Sequence, residues 1–345
     1  LMIEVIFVPV WWVNDVVELS EIVVPQFIGN SAELLNKLNF VFDMALQSSG
    51  RKWRTVDDGL CGRPKYNATF PDSANRITGG EQAIPHSHPW LVYISTKNTL
   101  DRCGGFILPS SEVNSSSYVL TAAHCVRNLI NSDLIVTAGI HDISLTSENG
   151  RQVAHVSKII KDSKYTPGNT KNRDYAVLVL SAPLQFTDYV LSVCLPDIYE
   201  YLEPRTACLV AGWGGIDGGV YKPKIEKVDG ISRIILRELV PTTKLMQAVL
   251  KVSSNSFCED ESVFSTAFDS SINLCAGDVL GEKGINNLDS GGPLVCLKDG
   301  IWVAYGISVG RLYTHETQPS LFVKTSELLD FLKEVSESII VKAKY

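Results

Sequence analysis

The chain has 345 residues, of which 45% are hydrophobic and 20% are charged, and its formal net charge is -7. This length suffices for one large core or two smaller ones, and the hydrophobic content excludes an intrinsically disordered protein. The negative charge provides no basic field for nucleic acid or anionic lipid, so we expect neither nucleic acid nor a membrane as a partner.

The first 60 residues contain no cysteine and differ in pattern from the rest of the chain. Residues 1–13 are almost wholly apolar, but Glu4 and Pro9 interrupt them, and the stretch is too short to cross a bilayer. It lacks the basic start and the cleavage site of a signal peptide, and position 1 is not methionine. Three interpretations stay open: a signal sequence that precedes this chain, a buried strand, or the remnant of a signal's apolar region. A capping pattern at 30–33, followed by apolar residues at helical spacing, predicts a short amphipathic helix over 30–45.

Eight cysteines are scattered along the chain without a Cys-x-x-Cys pair. This even number predicts disulfides and an oxidising compartment, and the alternative is a set of buried free thiols in a cytosolic protein. Two Asn-x-Ser/Thr sequons, at Asn67 and Asn114, agree with secretion and are candidate glycosylation sites. We therefore expect a secreted, extracellular glycoprotein.

From residue 77 to about residue 324, short runs of β-branched and aromatic residues are separated by turns. The best strand candidates are 91–94, 134–137, 175–180 and 302–307. Many short strands with Gly- and Asn-rich turns predict an all-β antiparallel barrel or sandwich. A helical stripe of leucine, valine and isoleucine over 328–339 then predicts a C-terminal α-helix packed on the body.

Three side chains provide the parts that nucleophilic catalysis needs. Ser290 lies between an acid and two glycines and is the candidate nucleophile. A serine hydroxyl needs a base to take its proton and an acid to orient that base. His124 is the candidate base, and Asp174, at the head of an apolar strand, is the candidate acid. Taken singly, a histidine beside a cysteine is more often a packed core residue, and an aspartate before a strand is more often a turn former.

Their context makes the chain from 77 to about 335 resemble a chymotrypsin-like (S1 family) serine protease. The order His, Asp, Ser is the one found in that family. Eight segments resemble the family in the same order: 77–80, 89–90, 103–105, 121–125, 194–196, 212–214, 275–277 and 289–293. The resemblance implies two antiparallel six-stranded β-barrels with the triad in the cleft between them.

The resemblance also implies how the cysteines pair and how the enzyme is activated. The implied disulfides are Cys61–Cys194, Cys103–Cys125, Cys208–Cys296 and Cys258–Cys275. Cleavage between Arg76 and Ile77 by an arginine-specific protease would free an α-amino group that pairs with Asp289. Residues 1–76 would then remain as a pro-region or light chain tethered through Cys61, and 77–345 would form the protease domain.

The substrate site departs from the family pattern. Leu288 replaces the glycine whose N–H, together with the Ser290 N–H, forms the oxyanion hole. If that position needs a positive φ, leucine costs about 1–2 kcal/mol. If the peptide bond before Leu288 flips instead, the Leu288 N–H is lost as a donor to the oxyanion hole, which lowers the turnover rate by a factor of about 10²–10³.

The specificity pocket and its edge strand are altered as well. Gly284 is placed at the pocket floor, with Ser320 nearby, which argues against a strong preference for Lys or Arg and favours an apolar side chain. A disulfide that many members carry across this pocket is missing. The edge strand that would pair with the substrate backbone comprises Ser308, Val309 and Gly310.

No metal or other cofactor is expected. His86 and His88 flank Ser87 in a pattern that could suggest metal binding, but solvated loop histidines are favoured because no further ligands cluster there. Residues 141–151 lie where some members bind calcium, and Glu148 alone gives little support for a site. The long, charged stretch 216–244 is interpreted as an exposed insertion, with an exosite as the alternative.

The sequence therefore predicts a secreted, zymogen-activated serine endopeptidase. Its expected partners are protein or peptide substrates, an activating arginine-specific protease and protein inhibitors. The alternative is a catalytically weak or inactive homologue that acts as a binding or regulatory protein, which Leu288 and the altered pocket favour.

Overall fold

A computed structural model describes most of the chain beyond residue 60. The described residues are 61–70, 80–97, 102–110, 112, 114–167, 173–197, 200–214, 216–217, 224–228, 231–235, 239–240, 242–260, 263–264, 268–277, 290–310 and 319–342. The helix expected over 30–45, the Arg76-Ile77 bond and residues Gly284, Leu288 and Asp289 lie outside these ranges. Within the described ranges, no helix has the length and apolar character needed to cross a bilayer.

A first set of strands closes into a six-stranded antiparallel barrel. A short strand, β1 (Glu81–Gln82), precedes it and joins the second sheet. The barrel strands are β2 (Leu91–Thr96), β3 (Arg102–Ile107), β4 (Ser115–Thr121), β5 (Leu134–Ala138), β6 (Gln152–Lys161) and β7 (Ala176–Gln185). Their order around the barrel is β2-β3-β4-β7-β6-β5. Inward-facing β-branched and leucine side chains, such as Val92, Val136 and Leu178, are fully buried and form the barrel core.

A second sheet has seven strands in the described part of the chain and curves until β13 approaches β14. Besides β1, it contains β8 (Ala207–Gly212), β13 (Met246–Lys251), β14 (Asn273–Ala276), β15 (Pro293–Lys298), β16 (Ile301–Gly310) and β17 (Ser320–Lys324). The strands β9 to β12 lie outside this sheet and are described below. The order is β1-β13-β8-β15-β16-β17-β14. Val252, directly after β13, bridges to Ala276 of β14, and Ser253 N–H donates to the Cys275 carbonyl at 3.0 Å. These few bonds join β13 to β14, the first and the last of the six strands other than β1. The predicted all-β architecture is confirmed, and the second barrel is less completely closed than the first.

The stretch 216–244 builds small ladders of its own. Strand β9 (Ile216–Asp217) pairs with β12 (Leu239–Val240), and β10 (Lys224–Val228) pairs with β11 (Ile231–Ile235). An insertion interpreted from sequence as an exposed loop thus contains antiparallel strands.

A tight turn and two helices complete the described fold. Asp299 and Gly300 have φ values of +50° and +78°, which is the two-residue turn geometry that joins twisted antiparallel strands, here β15 and β16. The predicted C-terminal helix is confirmed as α2 (Leu329–Lys342), after a one-turn helix α1 (Asn255–Cys258). Helix α2 buries Phe331, whose ring centroid lies 5.0 Å from that of Tyr175.

All eight cysteines are paired, in the four combinations that the resemblance implied. The disulfides are Cys61–Cys194, Cys103–Cys125, Cys208–Cys296 and Cys258–Cys275. The first of them anchors residues 61–70, which we call the tethered segment. Gly62 extends this anchor because its N–H donates to the Ser192 carbonyl and its carbonyl accepts from Trp302 N–H, both at 2.9 Å.

Candidate active site

His124 lies on a short 3₁₀ turn that the first barrel holds from two sides. The turn, Ala123–Val126, is separated from the end of β4 by one residue, and its Ala123 and Val126 are fully buried. Cys125 is bonded to Cys103 of β3. The imidazole therefore projects from a rigid base, with 32% of its side chain exposed.

Asp174 uses both carboxylate oxygens on His124. Its Oδ2 accepts from His124 Nδ1–H, and its Oδ1 accepts from the His124 backbone N–H, both at 2.8 Å. The Asp174 side chain is 14% exposed, so these bonds are partly shielded from water. Because the carboxylate accepts a hydrogen bond from Nδ1–H, the proton of neutral His124 stays on Nδ1 and Nε2 is the proton acceptor.

The turn that carries Ser290 is attached to the first barrel. The Ser290 carbonyl accepts from Gly104 N–H at 2.9 Å. Cys125 Sγ lies 3.7 Å from the Ser290 carbonyl oxygen and 3.7 Å from His124 Nε2. The backbone of Ser290 and the imidazole of His124 thus meet at one sulfur atom, at the junction of the two barrels.

Gly291 makes this attachment possible. Its φ is +86°, and a Cβ at this position would lie 2.3 Å from Thr121 Oγ1 and 2.4 Å from the Gly104 carbonyl oxygen. Its N–H donates to the Ser308 carbonyl at 2.7 Å. The glycine after the serine is therefore required both by backbone conformation and by space.

Residues 308–310, which were expected on an edge strand, form the end of β16, which lies between β15 and β17 and next to the Ser290 turn. Ser308 of β16 donates its N–H to the Gly292 carbonyl at 2.9 Å, and the pairing of β16 with β17 shifts register between Ser308 and Gly310. Val309 falls at this irregularity and is half-buried. Ser320, the expected neighbour of the pocket, is fully buried at the start of β17.

The loop histidines are a correction to the sequence interpretation. His88 is only 4% exposed, with Nε2 2.9 Å from Gln247 Oε1, and His86 Nε2 lies 3.7 Å from Glu148 Oε1 with its side chain 15% exposed. The prediction of solvated histidines is wrong because Trp90, two residues on, is fully buried and draws the loop into the core.

The described residues give no support for a metal centre at these positions. Glu148 accepts from the backbone N–H groups of His141 and Asp142 at 2.9–3.0 Å, so its carboxylate braces its own loop. One group within the described part of the chain has metal-ligand spacing, namely Cys103, His124 and Cys125. Its two sulfur atoms are joined in a disulfide, which removes the thiolates that a metal would need.

Sequence reasoning missed a buried network next to Asp174. The hydroxyl of Tyr175 donates to Asp162 Oδ2 at 2.6 Å. The sequence pattern places Tyr175 in an apolar strand, and no local pattern marks Asp162. The one available signal was a tyrosine at an otherwise aliphatic position directly after the candidate acid.

Comparisons with known proteins agree with this geometry. The profile of the protein family described as Trypsin matches residues 77–332. Cathepsin G of Mus musculus is 31% identical over 266 residues, which covers 76% of this chain and 86% of that protein. A solved structure described as "Structure of GrC" superposes with a TM-score of 0.57 at 28% identity, covering 76% of this chain and all of the other.

Proposed function

Because the chain belongs to the trypsin family of chymotrypsin-like serine proteases, we propose that it is a secreted serine endopeptidase acting through His124, Asp174 and Ser290. The observation that carries this proposal is the pair of 2.8 Å hydrogen bonds by which Asp174 orients His124. The attachment of the Ser290 backbone beside the same imidazole supports it.

The proposed chemistry forms and then hydrolyses an acyl-enzyme. Ser290 Oγ attacks the scissile carbonyl while His124 Nε2 takes its proton, and Asp174 stabilises the resulting imidazolium without being protonated. His124 then gives the proton to the leaving amine. A water molecule, deprotonated by the same imidazole, hydrolyses the ester and regenerates Ser290.

The proposed activation step is cleavage between Arg76 and Ile77 by an arginine-specific protease. The new α-amino group of Ile77 would pair with Asp289 and order the loop before Ser290. Residues 1–76 would stay attached as a light chain through Cys61–Cys194, and 77–345 would be the protease domain. Secretion is supported by the four disulfides and by the exposure of both sequon asparagines, Asn67 and Asn114.

Substrate recognition is proposed to use the backbone of residues 308–310 and a pocket with Gly284 at its floor. Strand addition by the substrate depends on backbone groups, so the side-chain changes on β16 leave it possible. A glycine floor has no carboxylate to pair with Lys or Arg, and we therefore expect cleavage after apolar residues. Protein inhibitors that present an extended segment would bind the same backbone groups of residues 308–310.

One observation favours a second candidate, a weak or inactive homologue that binds other proteins. Leu288 provides the backbone N–H that, with that of Ser290, would form the oxyanion hole. Leucine opposes the positive φ that a glycine adopts at no steric cost. The loss of this donor alone would reduce turnover by a factor of about 10²–10³.

The deciding experiment is active-site titration after cleavage at Arg76. We expect a fluorophosphonate to label Ser290 to one equivalent per cleaved chain, and the Ser290→Ala variant to remain unlabelled. A correctly cleaved, folded wild-type protein that takes up no label would rule out the peptidase. Fluorogenic peptides that differ only in an apolar or basic residue before the scissile bond then test the pocket.

The Leu288→Gly variant separates the two candidates. A rise in labelling rate of roughly 10²–10³ would identify the oxyanion hole as the weak part of the wild-type protein. An unchanged rate would show that the leucine N–H already serves the hole.

A further inference from the structure

A single buried carboxylate, that of Asp162, contacts the residues on both sides of Asp174. Asp162 directly follows β6, and its side chain is 6% exposed. Its Oδ2 accepts from the Tyr175 hydroxyl at 2.6 Å and lies 3.5 Å from Arg173 Nη1. Residues 173 and 175 are the chain neighbours of Asp174. The same Asp162 oxygen therefore contacts the side chains on both sides of the candidate acid.

The carboxylate of Asp162 is itself held in place by the backbone around it. Its Oδ1 accepts from Lys164 N–H at 2.7 Å, and its carbonyl accepts from Tyr165 N–H at 3.1 Å. Lys161, directly before it, pairs with Ala176 across β6 and β7. A turn fixed at the barrel wall therefore presents Asp162 to the chain at Asp174.

Tyr175 is the stronger of the two links. Its side chain is fully buried and packs against Phe331 of α2, with ring centroids 5.0 Å apart. Burial first, and then the hydrogen bond to Asp162 and its negative charge, raise the pKa of Tyr175, so the hydroxyl remains a donor. A phenol without Asp162 would leave a buried donor unpaired, which is costly.

Other charged and titratable groups surround the His124–Asp174 pair. Burial, and next the charge of Asp174, raise the pKa of Tyr165, while Arg127 opposes this shift. Arg173 is the cation adjacent to Asp174 in the chain, and the contact with Asp162 partly neutralises it.

We propose that Asp162 is a positioning residue that, through Tyr175 and Arg173, holds Asp174 in the orientation that His124 requires. The consequence for turnover rests on the proposed peptidase function, whereas the consequence for the Asp174–His124 hydrogen bond does not. Asp162 touches no reacting atom. Its role is to keep both 2.8 Å bonds of Asp174 short and aligned while the imidazole gains and loses a proton.

The test compares Asp162→Asn, Tyr175→Phe and the double variant in the protein cleaved at Arg76. In Asp162→Asn we expect kcat to fall roughly tenfold with KM within about twofold, since misplacement of an orienting group lowers turnover more than binding. The acid limb of kcat/KM should move to lower pH by roughly half a unit, because a less ordered Asp174 stabilises the His124 imidazolium less. The double variant should be no slower than Asp162→Asn, because Tyr175 acts through the same carboxylate.

The matched control is Asp142→Asn. Like Asp162, Asp142 accepts a hydrogen bond at Oδ1 from the backbone N–H of the second residue after it, here Ser144 at 3.0 Å. It should leave kcat and the acid limb unchanged. If Asp162→Asn lowers only the melting temperature, with kcat and acid limb intact, Asp162 is merely structural and the proposal is wrong. Should Asp162→Asn fail to fold, Tyr175→Phe, which removes one oxygen, must show the same changes in smaller degree.

A proton NMR measurement separates this proposal from the peptidase proposal. The His124 Nδ1 proton, hydrogen-bonded to Asp174, should give a low-field resonance in wild type that shifts or broadens in Asp162→Asn. Its observation requires no turnover. An unchanged resonance would overturn the positioning role, whereas an altered resonance in a protein that Ser290 probes do not label would overturn only the peptidase function.

Discussion

At the scale of single residues, Gly291 shows how one backbone position joins the two barrels. The residue combines a φ of +86° with a space that lacks room for a Cβ, because Thr121 and Gly104 lie against it. Gly300 shares the positive φ of Gly291 but not its steric constraint. Gly300, with a φ of +78°, has nothing within 4 Å of the place where a Cβ would lie.

We therefore expect Gly291→Ala to be far more damaging than Gly300→Ala. The Gly300 variant should lose about 1–2 kcal/mol of unfolding free energy, from backbone conformation alone. The Gly291 variant should lose at least about 3 kcal/mol more and should not be labelled by a fluorophosphonate, because clashes below 2.5 Å force the Ser290 turn away from β3. Urea denaturation and active-site titration measure both effects. Equal losses in the two variants would contradict the steric argument.

At the scale of elements, the tethered segment is attached by contacts of different strength to the chain after β7 and to Trp302 of β16. The Cys61–Cys194 disulfide and the hydrogen bonds of Gly62 fix its beginning. Further along, Tyr66 stacks on Tyr189 with ring centroids 6.0 Å apart, and Lys65 pairs with Asp188 on the surface. Exposed ion pairs contribute little, so the disulfide is the decisive link.

Cleavage by an arginine-specific protease should therefore give two chains that separate only after reduction. Non-reducing and reducing gels of the cleaved protein check this directly. The matched control is the Cys61→Ser/Cys194→Ser variant, whose light chain we expect to dissociate on gel filtration without reductant. Release of the light chain from unreduced wild-type protein would show that the tether fails.

At the scale of the whole molecule, two buried histidines, His88 and His141, and the half-buried His86 link stability to pH. Burial lowers the pKa of His88 to about 4, although its hydrogen bond to Gln247 opposes this shift. Burial likewise lowers the pKa values of His86 and His141, against the opposing charge of Glu148. All three stay neutral in the folded protein at pH values where an unfolded chain already binds protons.

The sign of the effect follows from this difference in proton binding. The contribution of His88 is fully present above its unfolded pKa of about 6.5 and is lost as pH falls towards its folded pKa near 4. We expect unfolding free energy to drop by on the order of 3 kcal/mol across this window from His88 alone. Urea denaturation at several pH values between 7 and 4 measures it.

A His88→Gln variant should flatten this pH profile, because glutamine does not titrate and retains a polar partner for Gln247. The exposed His155→Gln serves as the control and should leave the profile unchanged. A wild-type protein whose stability does not vary between pH 6.5 and 4 would contradict the assignment.

Sequence reasoning succeeded where the deciding information is local. The strands at 91–94, 134–137 and 302–307 carry their own β-branched pattern and lie in β2, β5 and β16. The stripe over 328–339 likewise carries its own helical period and lies mostly in α2. Hydrophobic period is a property of neighbouring residues, so it can be read without knowledge of the fold.

The sequence alone determined the family of this protein, its strand and helix character and the identities of its candidate triad, because these follow from short motifs in a set order. Only the tertiary structure decided that His88 is buried, that Glu148 braces its own loop and that Asp162 reaches both neighbours of Asp174. Each of those contacts joins residues through strand register or loop packing, and register depends on the closure of the whole barrel. Local motifs therefore identify the residues of the candidate site, whereas the positions of their side chains depend on contacts between distant segments.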